Sequence, residues 1–132
     1  MVATGTWAEY GAKDHPVRDD APLEPVGVYG RSKSVATTVA LKMAAQDNLP
    51  LGIVRPFSVY GPGEGESRFV PTEIRSFLRK EAAKLTACIP LRDDLYVDDV
   101  VEAYLKAAAA ERDIRSVRAE VARTRELLGW RP

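Results

Sequence analysis

The chain has little of what covalent cross-links and metal centres need. Its 132 residues include one cysteine, Cys88, and one histidine, His15, so an intramolecular disulfide and a Cys/His metal cluster are both excluded. No apolar run approaches the roughly 20 residues that span a bilayer, and the N-terminus lacks the basic-then-apolar pattern of a signal peptide. We therefore expect a protein of the reducing cytoplasm.

Neither sign of charge dominates. Lys plus Arg and Asp plus Glu number 19 each, which gives a formal net charge of +0 at pH 7. A neutral chain has no overall field that favours nucleic acid or an anionic membrane as a partner, so any phosphate binding must come from local charge. The length predicts a single domain, 1–132, that is long enough to bury a core.

The order of the predicted elements is that of a parallel α/β fold. Residues 2–6 are short and β-branched, which is typical of the end of a strand, and the prolines within 7–25 predict an exposed loop. Apolar residues at helical spacing predict a helix over 28–46. Residues 51–55 predict a short apolar strand of the kind that is buried in a parallel sheet. A helix followed by a buried strand is half of a βαβ unit.

The second half of the chain continues this alternation. Residues 56–65 are rich in turn formers and follow the carboxyl end of that strand, the edge at which open α/β sheets bind ligands. A second helix is predicted over 66–80. A third is predicted to start from a carboxylate cap at Asp99, and a last one over 117–128. The expected class is therefore α/β, with a parallel sheet and flanking helices.

One pair of side chains suggests chemistry from spacing alone. Tyr29 and Lys33 lie four residues apart in the first predicted helix, so they share a face. Two unit charges about 4 Å apart at an effective dielectric of about 20 interact by roughly 4 kcal/mol, and one pKa unit is about 1.4 kcal/mol. As an upper bound, the lysine brings the pKa of the phenol from about 10 toward 7, where it can exchange protons. The alternative is an ordinary helix face with a lysine that reaches solvent.

Five short motifs place this pair in a wider pattern. They are Thr-Trp-Ala-Glu-Tyr-Gly at 6–11, Tyr-Gly-Arg-Ser-Lys at 29–33, Arg-Pro-Phe-Ser-Val-Tyr-Gly-Pro-Gly at 55–63, Arg-Asp-Asp-Leu-Tyr-Val-Asp-Asp-Val at 92–100 and Leu-Leu-Gly-Trp-Arg-Pro at 127–132. Their order and spacing resemble the extended short-chain dehydrogenase/reductase family, the NAD-dependent epimerases and dehydratases that act on nucleotide sugars. The resemblance covers nearly the whole chain.

This resemblance implies roles for individual side chains. Tyr29 is expected to be the general acid/base that moves a sugar hydroxyl proton while hydride passes to or from the nicotinamide of NAD or NADP. Lys33 is expected to lower the pKa of Tyr29 and to bind the nicotinamide ribose, and Thr6 to hold the substrate oxygen. Binding roles are implied for Pro56 and Phe57 at the nicotinamide, for Ser58 at the substrate phosphates and for Arg92 at the nucleotide diphosphate. An alternative for Arg92 is a structural pair with Asp98.

Two departures from the family pattern refine the expected activity. Family 4,6-dehydratases carry an acidic pair just after the catalytic Ser/Thr, whereas here Trp7 and Ala8 hold those positions and cannot transfer protons. Epimerisation or 4-keto reduction is therefore favoured over dehydration. No Gly-x-x-Gly-x-x-Gly follows a strand, so the glycine-rich grip on adenosine and pyrophosphate is missing. The sequence predicts a partial Rossmann-like parallel sheet that lacks the N-terminal dinucleotide-binding half.

The missing half leaves three interpretations open. The first is a truncated NAD(P)-dependent nucleotide-sugar epimerase or 4-ketoreductase. The second is a non-catalytic remnant that acts as a binding or assembly module, on an intact relative or on a separately encoded N-terminal half. The third is a mis-assigned start codon. An uncovered sheet edge favours pairing with another chain, and the family resemblance implies a homodimer through the helix at 28–46.

Overall fold

A computed structural model of the chain describes residues 1–83, 85 and 93–110. Cys88, Arg92 and the helix predicted over 117–128 lie outside these residues. The elements in chain order are β1 (Val2–Thr4), a 3-10 turn (Trp7–Glu9), α1 (Gly27–Gln46), β2 (Gly52–Val54), β3 (Ser58–Tyr60), α2 (Phe69–Leu78), β4 (Asp94–Tyr96) and α3 (Val97–Ala109).

The described strands form two parallel pairs. β1 lies beside β2 with Ala3 opposite Ile53, and β3 lies beside β4 with Val59 opposite Leu95. Parallel neighbours need a crossover connection, and α1 supplies it between β1 and β2. The expected α/β class with parallel strands and flanking helices is confirmed. β3 is a correction, because residues 56–65 were expected to form a turn-rich loop without a strand.

Backbone conformation and turn hydrogen bonds explain where the helices begin and end. α1 starts at Gly27 (φ 72°) and is followed by Asn48 (φ 52°), both in the left-handed region, so the predicted bounds of 28–46 are met to within one residue. α2 starts later than residue 66, because the Arg68 N–H bonds back to the Gly65 carbonyl in a turn at 2.9 Å. α3 starts at Val97 with Tyr96 as its cap. The cap predicted at Asp99 is therefore wrong.

The core consists of small clusters along the strands. Ile53 and Leu51 pack with Ala44 of α1, and Val54 packs with Ala107 of α3. Val35, Val39 and Met43 of α1 are exposed. Val101 and Leu105 of α3 are exposed too, although helical spacing predicts that they face inward. The buried positions are held by small residues instead, namely Gly30, Thr37 and Ala44 on α1 and Ala103 and Ala107 on α3. No helix within the described ranges combines the length and apolarity needed to cross a bilayer.

Candidate active site

Thr6 lies just beyond the carboxyl end of β1 and caps the 3-10 turn. Its hydroxyl accepts the Ala8 N–H at 3.4 Å, and the Glu9 carboxylate accepts the Thr6 N–H at 2.9 Å. This reciprocal arrangement is a capping box, which satisfies N–H groups that the turn would otherwise leave unbonded. The backbone of Thr6 is therefore held in place, and its side chain is buried. The expectation of an exposed loop over 7–25 is wrong at this point, because Glu9 and Tyr10 are also buried.

Helix α1 reaches this turn at Gly30. A Cβ added to Gly30 would lie 2.6 Å from the Ala8 carbonyl oxygen, which is closer than a real Cβ contact. Glycine is therefore required because the helix backbone packs directly against the turn. Tyr29 precedes this contact along α1. The structure thus brings the helix turn that carries Tyr29 against the turn that Thr6 caps.

Lys33 reaches the end of β1. Its Nζ donates to the Thr4 carbonyl oxygen at 2.7 Å, two residues before Thr6. Tyr29 is 63% exposed, so its phenol is open to a ligand. The structure thus brings Thr6 and Lys33 to the end of β1, and Tyr29 lies on the same helix as Lys33. Their catalytic roles stay predictions.

The loop after β2 lies beside the same turn. The Trp7 N–H donates to the Pro56 carbonyl at 3.4 Å, and the rings of Trp7 and Phe57 stack with centroids 6.4 Å apart at 22°. Pro56 and Phe57, which are predicted to contact nicotinamide, therefore lie next to Thr6 in space as well. Trp7 is 45% exposed, so this aromatic pair forms part of the accessible surface at the strand ends.

Ser58 occupies a different place from Pro56 and Phe57. It begins β3, and it lines a cavity of about 170 Å³ together with Arg68, Phe69 and Asp94. Arg68 supplies positive charge there, although it also pairs with Glu64 at 3.2 Å. Ser58, which is predicted to contact the substrate phosphates, therefore lies on the β3–β4 strand pair. Arg92, the other predicted substrate contact, lies outside the described residues.

A second tyrosine bonds to the end of β1. The hydroxyl of Tyr104, on α3, donates to the Thr4 Oγ1 at 2.9 Å. Burial raises the pKa of this phenol above its usual range, and the hydrogen bond to Thr4 opposes that shift. Thr4 is therefore held by Tyr104 through its side chain and by Lys33 through its carbonyl group.

Sequence reasoning missed a buried ion pair beneath this site. The Arg55 Nε donates to the Glu9 Oε2 at 2.8 Å, with side chains that are 1% and 0% exposed. The Glu9 Oε1 also accepts the Thr37 hydroxyl at 3.1 Å. A signal was present, because Arg55 directly follows a buried strand and Glu9 lies within the first motif. Nothing local indicated that the two residues meet.

Comparison with known proteins settles the family. The sequence model of the NAD dependent epimerase/dehydratase family matches residues 1–119. The chain belongs to this family. CDP-abequose synthase of Salmonella typhimurium is 41% identical over 59 residues, which cover 44% of this chain and 20% of that protein. UDP-arabinose 4-epimerase 1 of Arabidopsis thaliana is 27% identical over 129 residues, which cover 81% of this chain and 31% of that protein.

Solved structures of the family share the fold. MoeE5 in complex with UDP-glucose and NAD is 32% identical, with a TM-score of 0.77 over 99% of this chain and 48% of that chain. UDP-glucuronic acid 4-epimerase from Bacillus cereus, in complex with UDP-glucuronic acid and NAD, is 17% identical, with a TM-score of 0.80 over 99% of this chain and 55% of that chain. The family resemblance and the Rossmann-like class are confirmed. The chain spans about half the length of these solved relatives.

Proposed function

We propose that this chain supplies the substrate-side half of an NAD(P)-dependent nucleotide-sugar epimerase or 4-ketoreductase. The observation that supports this best is the packing of Gly30 on the Ala8 carbonyl, which sets the Tyr29 turn of α1 against the turn that Thr6 caps. In this proposal Thr6, Tyr29 and Lys33 act together at the carboxyl end of β1. This is the edge at which open α/β sheets bind ligands.

In this proposal Tyr29 moves the proton. Its phenolate oxygen accepts the proton of a sugar hydroxyl as the adjacent C–H bond gives up its hydride, and the neutral phenol returns the proton in the reverse direction. NAD(P), when bound, supplies the group that accepts or donates this hydride. Lys33 places a positive charge one helical turn away, and Thr6 orients the sugar oxygen with its hydroxyl.

The residues present fit the nicotinamide-ribose end of the cofactor. Lys33 is a donor with two further N–H groups beyond its bond to Thr4, and ribose hydroxyls are suitable acceptors. The stacked rings of Trp7 and Phe57 offer an apolar surface beside it. The pyrophosphate end has no glycine-rich counterpart in this sequence. We therefore propose that the chain alone binds the cofactor weakly, and calorimetric binding at micromolar concentrations would contradict this.

The choice of reaction rests on Trp7 and Ala8. Dehydration needs further acid/base groups beside the substrate, and neither an indole nor a methyl group can transfer a proton. Epimerisation and 4-keto reduction need only the Tyr29 proton step together with hydride transfer. The proposed substrate is a nucleotide sugar whose phosphates are bound by Ser58 and, as the family resemblance implies, by Arg92.

A turnover assay on the full chain tests this proposal. Purified protein is incubated with millimolar NAD and, in turn, UDP-glucose, UDP-glucuronic acid and dTDP-glucose, and the anomeric proton signals are followed by NMR. We expect slow 4-epimerisation of at least one sugar and a loss of at least about 100-fold in Tyr29→Phe, as removal of a general acid/base requires. The NADPH-dependent reduction of a 4-keto nucleotide sugar is assayed in parallel. If the wild-type chain turns over none of these substrates, catalysis by this chain alone is wrong.

A second candidate function is assembly with a complementary half. Within the described residues, β1 pairs with β2 alone, so its other edge is open to a further strand. Val35, Val39 and Met43 also form an exposed apolar stripe on α1. We expect co-expression with an N-terminal half from a family member to yield a stable complex in sedimentation. A folded, monomeric and unassociated chain would contradict assembly.

A further inference from the structure

Glu9 contacts three segments that carry proposed active-site residues. Its Oε1 accepts the Thr6 N–H at 2.9 Å and the Thr37 hydroxyl at 3.1 Å, and its Oε2 accepts the Arg55 Nε at 2.8 Å. Thr37 lies on α1, one turn beyond Lys33. Arg55 ends the β2 segment and immediately precedes Pro56. One carboxylate therefore joins the Thr6 turn, the helix that carries Tyr29 and the loop after β2.

Stability alone does not explain a charged pair in this position. Glu9 and Arg55 are almost completely buried, and the loss of hydration offsets much or all of the attraction between buried ions. Apolar residues of similar volume often serve as well or better. A carboxylate differs from them because it accepts several short hydrogen bonds in fixed directions. The distinctive contribution of Glu9 is therefore geometric.

Arg55 engages Glu9 through one nitrogen. Its Nη1 and Nη2 atoms are buried without a hydrogen-bond partner in the described part of the chain, and its guanidinium carbon lies 5.4 Å from the centroid of the Tyr10 ring. The hydrogen bond that Arg55 makes here is thus the one to Glu9. Arg55 is therefore the counter-charge of the Glu9 carboxylate.

Close packing leaves the carboxylate little freedom. A Cβ added to Gly5 would lie 2.7 Å from both the Glu9 Oε1 and the Arg55 Cγ, so the backbone after β1 passes directly against the ion pair. Gly30 packs equally closely on the Ala8 carbonyl. Any shift of Glu9 is therefore transmitted both to the Thr6 turn and to α1.

We infer that Glu9 is a positioning residue, which sets Tyr29 relative to Thr6 through its bonds to the Thr6 N–H and to Thr37. The inference rests on the proposed function where it names Thr6 and Tyr29 as the reacting pair. Glu9 is buried and acts through its neighbours rather than on the substrate.

Fluorine NMR of the full chain labelled with 3-fluorotyrosine tests this inference, with Tyr29→Phe used to assign the Tyr29 resonance. Thr37→Val removes the bond from α1 to Glu9 and keeps the side-chain shape. The matched control is Thr38→Val, because the Thr38 hydroxyl bonds to the Ser34 carbonyl within α1 at 2.9 Å. We expect Thr37→Val and Glu9→Gln to move the Tyr29 resonance by more than its linewidth, Thr38→Val to leave it in place, and Thr37→Ser to restore it.

The inference is overturned if Thr37→Val lowers the melting temperature but leaves the Tyr29 resonance unchanged, because Glu9 then contributes to stability alone. Should Glu9→Gln not fold, the Thr37 series still decides the outcome. The measurement needs no turnover. An inactive wild-type chain whose Tyr29 resonance responds as expected would contradict the proposed catalysis and leave the positioning role intact.

Discussion

The two strand pairs of this chain differ sharply in what surrounds them. Beside β1 and β2, glycines allow backbones to touch, and a glutamate and an arginine are almost completely buried. Beside β3 and β4, Gly61 also packs closely on Val97 and Leu95 packs with Ala103, but helix α2 has no buried residue and Phe77 is 70% exposed. The proposed proton-transfer groups therefore lie in the closely packed region. Ser58, a predicted phosphate contact, lies in a region where the apolar surface of α2 is open within the described residues.

The largest expected effect comes from removing one partner of the buried Glu9–Arg55 ion pair. Glu9→Ala leaves the Arg55 charge buried without its partner, so we expect the free energy of unfolding to fall by about 3–5 kcal/mol. Urea denaturation measures this change. The exposed Glu66–Arg75 pair, at 2.7 Å, is the matched control, and Glu66→Ala should cost no more than about 1 kcal/mol. Equal losses in the two variants would contradict the contrast between the regions.

A second prediction concerns the contact between α1 and the 3-10 turn. Gly30→Ala places a methyl group 2.6 Å from the Ala8 carbonyl oxygen, and overpacking of this kind destabilises by about 1–3 kcal/mol. We also expect Gly30→Ala to move the fluorine resonance of Tyr29. In Gly65→Ala the new Cβ would lie 3.8 Å from its nearest neighbour, the Arg68 Cγ, so this variant should unfold like the wild type. If Gly30→Ala unfolded like the wild type as well, the close approach of Gly30 to the Ala8 carbonyl would be wrong.

A third prediction follows from the raised pKa of Tyr104. A phenol whose pKa is higher in the folded state contributes stability that is present below its unfolded value of 10.0 and is lost as the pH rises through the folded value. The melting temperature of the wild type should therefore fall more steeply above pH 10 than that of Tyr104→Phe. The variant also loses the bond to Thr4, worth about 0.5–1.5 kcal/mol at neutral pH. If the melting temperatures of the wild type and of Tyr104→Phe fall in parallel from pH 9 to 11, the pKa of Tyr104 is not raised in the folded state.

The smallest expected effect concerns the open region. Phe77→Ser removes an exposed apolar side chain, so the free energy of unfolding of the isolated chain should change by less than about 0.5 kcal/mol. In the packed region, Ile53→Ala should cost about 2–5 kcal/mol. Both values come from the same urea titrations. A large loss in Phe77→Ser would mean that another part of the chain covers α2.

The sequence predicted those features of the fold that depend on residues close together in the chain. The α1 bounds follow from Gly27 and from the Asn48-Leu49-Pro50 ending, and the α/β class follows from a helix that leads into an apolar strand. The buried faces of α1 and α3 were predicted less well. Apolar spacing on α1 did not distinguish the buried Ala44 from the exposed Val35 and Val39. On α3 it predicted inward positions for Val101 and Leu105, which are exposed.

The residues of the candidate site likewise divide into those that local patterns predicted and those that they missed. Tyr29 and Lys33 could be found because a helix brings residues four apart together, and the motif series added Thr6. Glu9 and Arg55 are separated by 46 residues, and their pairing depends on how α1 returns the chain to β1. No local pattern carries that information. The position of Arg92 relative to the other residues stays a prediction.

The register of β1 against β2 also bears on the order of folding. Val2 pairs with Gly52, so the strand pair forms only after the intervening chain, including α1, has closed a long loop, and such nonlocal contacts are slow to form. Helix α1 can form earlier, and it then holds Tyr29 and Lys33 on one face without Thr6 beside them. We expect Ile53→Val to change mainly the unfolding rate and α1 substitutions to change the folding rate, which stopped-flow kinetics can measure. We therefore expect the proposed site residues Thr6, Tyr29 and Lys33 to come together late in folding.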